Sequence, residues 1–120
     1  MLLSYPSDIV ADFATNYTFS PSAPVTGCND GSEIGIWDTM LAGTLVNSLQ
    51  TANVFPGTTD EYWTGTNPHG TLGADTCEAW TVWETGTGIV GRASNTNELW
   101  LDRRVVACTS PEFYVCLCIK

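Results

Sequence analysis

The hydrophobic positions follow no single period along this chain. Residues 1–30 are rich in Ser, Pro, Thr and Asn and show little periodicity. Within them, Asp8–Phe13 predicts one short helical turn. Phe19–Pro24 reads as an extended loop, because each Pro biases its predecessor away from the helical region. Cys28-Asn29-Asp30-Gly31 is a turn signal. A helix is predicted next, with Ser32 as its N-cap and Glu33 favoured at the positive end of the dipole. Trp37, Met40 and Leu41 fall at i, i+3 and i+4, on one face, and Gly43 suits the position that ends the helix. Leu45, Val46 and Leu49 extend the apolar surface in an irregular segment.

From residue 60 the pattern changes to short strands separated by turns. Strands are predicted over Glu61–Thr66, Thr76–Glu84, Leu99–Cys108 and Phe113–Ile119. Asn67-Pro68-His69-Gly70 is a strong turn, Gly86 and Gly88 punctuate the middle, and Pro111 separates the last two strands. In Thr76–Glu84, alternation sets Trp80 and Val82 against Cys77, Ala79 and Trp83. One main helix followed by closely spaced strands predicts an α+β fold with a mainly antiparallel sheet and long loops. Residues 1–120 read as one domain, with 1–30 as an irregular N-terminal segment and 31–120 as the core. There is no internal repeat and no interdomain linker.

Charge narrows the partners. Thirteen acids against four bases give a net charge of −9. The bases are Arg92, Arg103, Arg104 and Lys120, too few to neutralise a phosphate backbone or coat a heparin-like polyanion. Nucleic acid and heparin are therefore not expected as partners. Nor is membrane insertion, since no apolar run approaches the roughly 20 residues of a spanning helix. Met1–Pro6 lacks the basic and apolar stretches of a secretory signal. The expectation is a mature or excised piece of a secreted protein, unless the first residues are foreign to it. The sequon Asn16-Tyr17-Thr18 makes Asn16 a candidate glycosylation site.

Cys28, Cys77, Cys108, Cys116 and Cys118 contain no CxxC pair, and His69 lies in a turn remote from any of them in sequence. Structural zinc is not expected, and structural disulfides are. Such bridges point to an extracellular location, secreted or on the cell surface. Five is odd, so one thiol is left free, paired to another chain, or paired beyond this sequence. Cys116 and Cys118 share a strand face, are too close along it to bond each other comfortably, and compete for one partner region.

Several segments taken together are more specific. They are Tyr62–Gly70 (YWTGTNPHG), Cys77-Glu78-Ala79-Trp80, Gly88–Ser94 (GIVGRAS), Ala107-Cys108 and Val115–Ile119 (VCLCI), with Ile36–Leu45 upstream. Their order and spacing resemble the C-terminal endostatin domain of the multiplexin collagens and its bacterial secreted relatives, over about residues 33–120. The resemblance implies a C-type-lectin-like fold and a bridge between Cys77 and Cys108. The family's outer bridge starts from an early helix that has no counterpart here. By its spacing from Cys108, Cys116 takes the last-strand role; by its flanking Leu117 and Ile119, Cys118 does. Cys28 is the one internal partner for either, and a second subunit is the other possibility.

The comparison also removes inherited chemistry. Lectin-type calcium binding needs a loop carboxylate beside Pro and a Trp-Asn-Asp triplet; Asn67-Pro68-His69 and Trp100-Leu101-Asp102 supply neither. Asp30, Glu33, Asp60, Glu61 and Asp75 read as solvated surface acids. Endostatin's arginine-rich heparin face and N-terminal histidine cluster for zinc have no equivalent. Trp37, Trp63 and Trp80 match core positions of the family, whereas Trp83 and Trp100 do not and become the candidate ligand contacts. No catalytic residue, metal site or cofactor is expected. The predicted function is a non-enzymatic extracellular recognition or adhesion module for a protein or glycan. The rival is a structural subunit or cap of a filament or collagen-like assembly, with copies of itself as partners.

Overall fold

Two small three-stranded antiparallel sheets and a few short helical turns make up the chain in a computed structural model, which describes residues 1–55 and 60–120. The first sheet holds β1 (Pro24–Gly27), β2 (Glu33–Ile36) and β6 (Leu117–Ile119), in the order β2-β1-β6. The second holds β3 (Glu61–Trp63), β4 (Thr87–Arg92) and β5 (Arg104–Ala107), in the order β3-β4-β5. The fold is α+β, but its helices are brief: a 3-10 turn Val10–Asp12 running into α1 (Phe13–Asn16), then α2 (Trp37–Leu41).

The predicted helix start is a strand. Glu33–Ile36 pairs with β1, and the Ser32 N–H goes to the Asp30 carboxylate at 2.9 Å rather than Ser32 capping a helix. Two β-branched Ile residues flank Gly35, and this is poor helix material once β1 supplies a partner. Gly35 also lies under Met40, where a Cβ would stand 3.0 Å from Met40 Cγ. The helix begins only at Trp37, without a side-chain cap. Trp37 and Met40 are buried and Leu41 is half-buried, and Gly43 at φ 95° ends the turn.

Residues 1–30 are part of the core, which corrects the boundary drawn at residue 31. Leu2, Leu3, Val10, Phe13 and Val25 are buried, and β1 is the central strand of its sheet. The Leu2 N–H donates to Val115 O and the Ser4 N–H to Thr64 O, so the N-terminal segment ties distant parts of the chain together. Pro24 fits because it opens its strand.

Three predicted strands are shorter than their hydrophobic pattern. Glu61–Thr66 is a strand only to Trp63, after which Thr66 bridges Leu72. Leu99–Cys108 begins in a 3-10 turn, Glu98–Trp100, and becomes a strand at Arg104. Phe113–Ile119 pairs through one bridge at Phe113 and then through β6. Between them, β4 is the buried middle strand that its glycines conceal in sequence. A Cβ at Gly91 would lie 2.0 Å from Trp100 O, and one at Gly88 2.7 Å from Trp63, so both tryptophans rest on bare backbone.

Thr76–Glu84 is not a strand. Cys77, Glu78, Ala79 and Trp80 have φ of 48°, 52°, 56° and 64°, a left-handed turn built without glycine. Such a conformation costs roughly 1–2 kcal/mol per residue. One local and one long-range hydrogen bond offset it. Thr76 Oγ1 accepts the Ala79 N–H at 3.1 Å, and Trp80 Nε1 donates to Ser4 O at 2.8 Å.

Candidate binding surface

The left-handed turn carries the most exposed aromatic side chain of the second sheet's outer side. Cys77 is bridged to Cys108 just beyond β5, with a Cα–Cα distance of 5.8 Å, so a covalent bond anchors the turn's first residue. Trp80 packs edge-on against buried Trp63, ring centroids 5.7 Å apart. The chain then passes half-buried Val82 and presents Trp83, whose exposure is 71%. Trp63, Trp80, Trp83 and Tyr114, together with the Cys77–Cys108 bridge, line a shallow cleft of about 130 Å³. Tyr114 is itself 54% exposed. An open surface of this kind offers ring faces and few charges.

A second, larger cleft of about 520 Å³ lies against the first sheet, lined among others by Phe13, Phe19, Trp37, Leu117 and Ile119. Phe13 stacks on Trp37 at 6.1 Å and Phe19 meets Trp37 edge-on at 5.5 Å. Trp37 is nearly fully buried, and its Nε1 has no hydrogen-bond partner among the described residues. These rings pack on one another, so the cleft reads first as a seam of the main core.

Trp100 is not a surface residue, which corrects its place among the ligand contacts. It is completely buried, and its Nε1 donates to Met40 O at 3.0 Å. Its carbonyl accepts the hydrogen bond of the buried Tyr62 hydroxyl. The glycine at position 91 makes room for it, a relation that no local pattern around Trp100 reveals. Tyr114 was not singled out from the sequence, and neither was the left-handed turn that presents Trp83. Asn16 is exposed on α1, but its Nδ2 donates to Asp8 Oδ1 at 2.8 Å.

Two of the four cations are engaged with acids. Arg92 pairs with Asp60 at 2.7 Å, and Ser94 Oγ donates to the same carboxylate. Burial raises the Asp60 carboxyl, yet the hydrogen bonds from Ser94 and Arg92 and the Arg92 charge outweigh it and leave Asp60 below its ordinary value. Arg104 reaches Glu61 at 3.1 Å. Asp102 and Glu112 are pushed up, chiefly by burial, with Glu61 adding to the effect at Glu112. His69 Nδ1 donates to Leu41 O at 2.9 Å, holding the Asn67–Gly70 turn to α2. Among the described residues no three His, Cys, Asp or Glu side chains gather as a metal site would require.

Two disulfides, Cys28–Cys118 and Cys77–Cys108, place the protein in an oxidising, extracellular-type environment. Among the described residues no helix is long and apolar enough to cross a membrane. The class these features define is a small, acidic, disulfide-braced α+β domain with an exposed aromatic surface. No family model, curated protein or solved structure matches the chain.

Proposed function

We propose that this protein is an extracellular, non-enzymatic recognition module with a C-type-lectin-like, endostatin-like scaffold, and that Trp83, Trp80 and Tyr114 bind a neutral glycan. The observation that carries the reading is Trp83 at 71% exposure beside a second Trp and a Tyr, on a turn braced by the Cys77–Cys108 bridge. Placing a large ring in water forgoes its burial energy, and a strained turn adds to that cost. A ring face of negative quadrupole suits the C–H face of a sugar, as it suits the edge of another aromatic. Anionic glycans fit poorly, because the net charge is −9 and two of the four cations are paired with acids.

A neutral-glycan array followed by calorimetry tests this reading. Trp83→Ala is expected to weaken a bound glycan about tenfold, the worth of one aromatic contact near 1.4 kcal/mol. An array without binders, or affinity unchanged in that variant, removes the glycan reading. Self-assembly is the second reading, favoured by the exposed Cys116 thiol beside β6 at the edge of its sheet. Light scattering with and without reductant decides it: a monomer under both conditions excludes assembly.

A further inference from the structure

Three cysteines lie where β1 and β6 end. The ladder pairs Val25 with Ile119, Thr26 with Cys118 and Gly27 with Leu117. One step further, the same register sets Cys28 opposite Cys116. The bridge nevertheless runs to the diagonal residue, Cys118, with a Cα–Cα distance of 5.2 Å. The reason lies in the turn: the chain leaves the ladder after Gly27, whose carbonyl accepts the Gly31 N–H at 2.9 Å. Cys28 is swung toward Cys118, yet its Sγ stays 3.9 Å from the Cys116 carbonyl. Were the ladder to continue one residue further, Cys28 and Cys116 would stand about 4.5–5.5 Å apart at Cα, inside the range a disulfide spans. Cys28 and Cys116 are exposed and Cys118 is half-buried, so the attacking thiol and the sulfur it attacks are both open to solvent.

We propose that Cys28, Cys116 and Cys118 form an intramolecular disulfide relay with two interchangeable bridges. The Cys116 thiolate attacks Cys28 Sγ; the Cys28–Cys116 bond forms as the Cys28–Cys118 bond breaks. Cys118 leaves as the thiolate and takes up the proton that Cys116 gave up. One disulfide and one thiol stand on each side of the step, so no oxidant or reductant is consumed. The relay keeps the N-terminal strand covalently tied to the C-terminal one while moving the free thiol from an exposed position to β6. Leu117 and Ile119 of that strand line the larger cleft, so the exchange alters the strand that bounds it.

The relay is tested on the intact protein by holding it at alkaline pH without reductant, quenching with acid and alkylating the free thiol. Non-reducing digestion and fragment-ion mass spectrometry then locate the label. Label on both Cys116 and Cys118, with the Cys118 share growing during the alkaline incubation and frozen in acid, is the expected result. Label confined to Cys116 at every time overturns the relay. A second arm uses Cys118→Ser, oxidised with glutathione disulfide. Complete loss of alkylatable thiol, with a Cys28–Cys116 peptide recovered, supports the relay; two free thiols in a folded variant overturn it. Should that variant fail to fold, the label distribution in the unaltered protein decides alone.

Discussion

The sheet β2-β1-β6 and the sheet β3-β4-β5 are built alike and each carries one disulfide, yet the cores that seal them differ in size. The first lies on the main core, whose buried members include Phe13, Trp37, Phe55, Tyr62 and Trp100. The second has one face on that same core, through Tyr62. Its other face carries only a small cluster of Leu3, Trp63, Val90, Val106 and the bridged Cys77 and Cys108. A large core holds its strands chiefly by burial, and Cys28–Cys118 adds a tie at the end of β1. A small one leaves its cover only marginally stable, and there a covalent bond and a strained turn take over. The candidate surface lies beside the small cluster for the same reason. Aromatic rings that the small cluster cannot bury remain available to a ligand.

The largest effect that would test this contrast is in the main core. Trp100→Ala is expected to cost about 3–5 kcal/mol and to unfold both sheets together, read as one cooperative shift in the urea midpoint. Two separated transitions would break the idea that Tyr62 and Trp100 couple the sheets. Replacing the second bridge by Cys77→Ala with Cys108→Ala comes next. Its 31-residue separation gives roughly 3–4 kcal/mol by chain entropy. Hydrogen exchange should rise around the left-handed turn well before it rises in β1. Uniform exchange would mean the small cluster is held by burial after all.

A smaller change probes the join itself. Thr64 is fully buried and its Oγ1 donates to Leu101 O at 2.6 Å. Thr64→Val leaves that carbonyl short of a donor and is expected to cost about 1–3 kcal/mol without altering the fold, checked by equilibrium denaturation. The smallest effect is electrostatic. The Asp60 carboxyl lies below its ordinary value in the fold, so its contribution is complete above the unfolded value of 3.8 and fades as pH falls through the lowered one. Asp60→Asn is expected to cost under about 1 kcal/mol at neutral pH and progressively less as pH falls through the lowered value. Asp102 has the opposite sign: its carboxyl is raised by burial, so the protein gains stability there on acidification, and Asp102→Asn flattens that gain in denaturation curves taken across pH.

Features fixed by a few neighbouring residues were legible in the chain. The turn at Asn67–Gly70, the helical stop at Gly43 and the helical turn before Phe13 all follow from local backbone preference. Trp83 was legible as an exposed ring. Trp100 was not, because its backbone closes on Gly91 of β4 and its ring nitrogen reaches Met40 O, contacts that only the fold sets. Cys77–Trp80 misled for a related reason: the alternation of its side chains suits a strand, and beyond the Thr76 cap it is the contacts to Ser4 and Cys108 that favour a left-handed turn.

By itself, the sequence determined an acidic, cysteine-bearing α+β chain of short elements, since composition and turn chemistry act locally. Only the tertiary structure decided that Glu33–Ile36 is a strand, that the first thirty residues belong to the core, and that Cys28 meets Cys118 with Cys116 left free. Each of these depends on a partner far along the chain. Strand pairing, burial and disulfide choice are set by which surfaces meet in space, and spacing along the sequence does not encode that meeting.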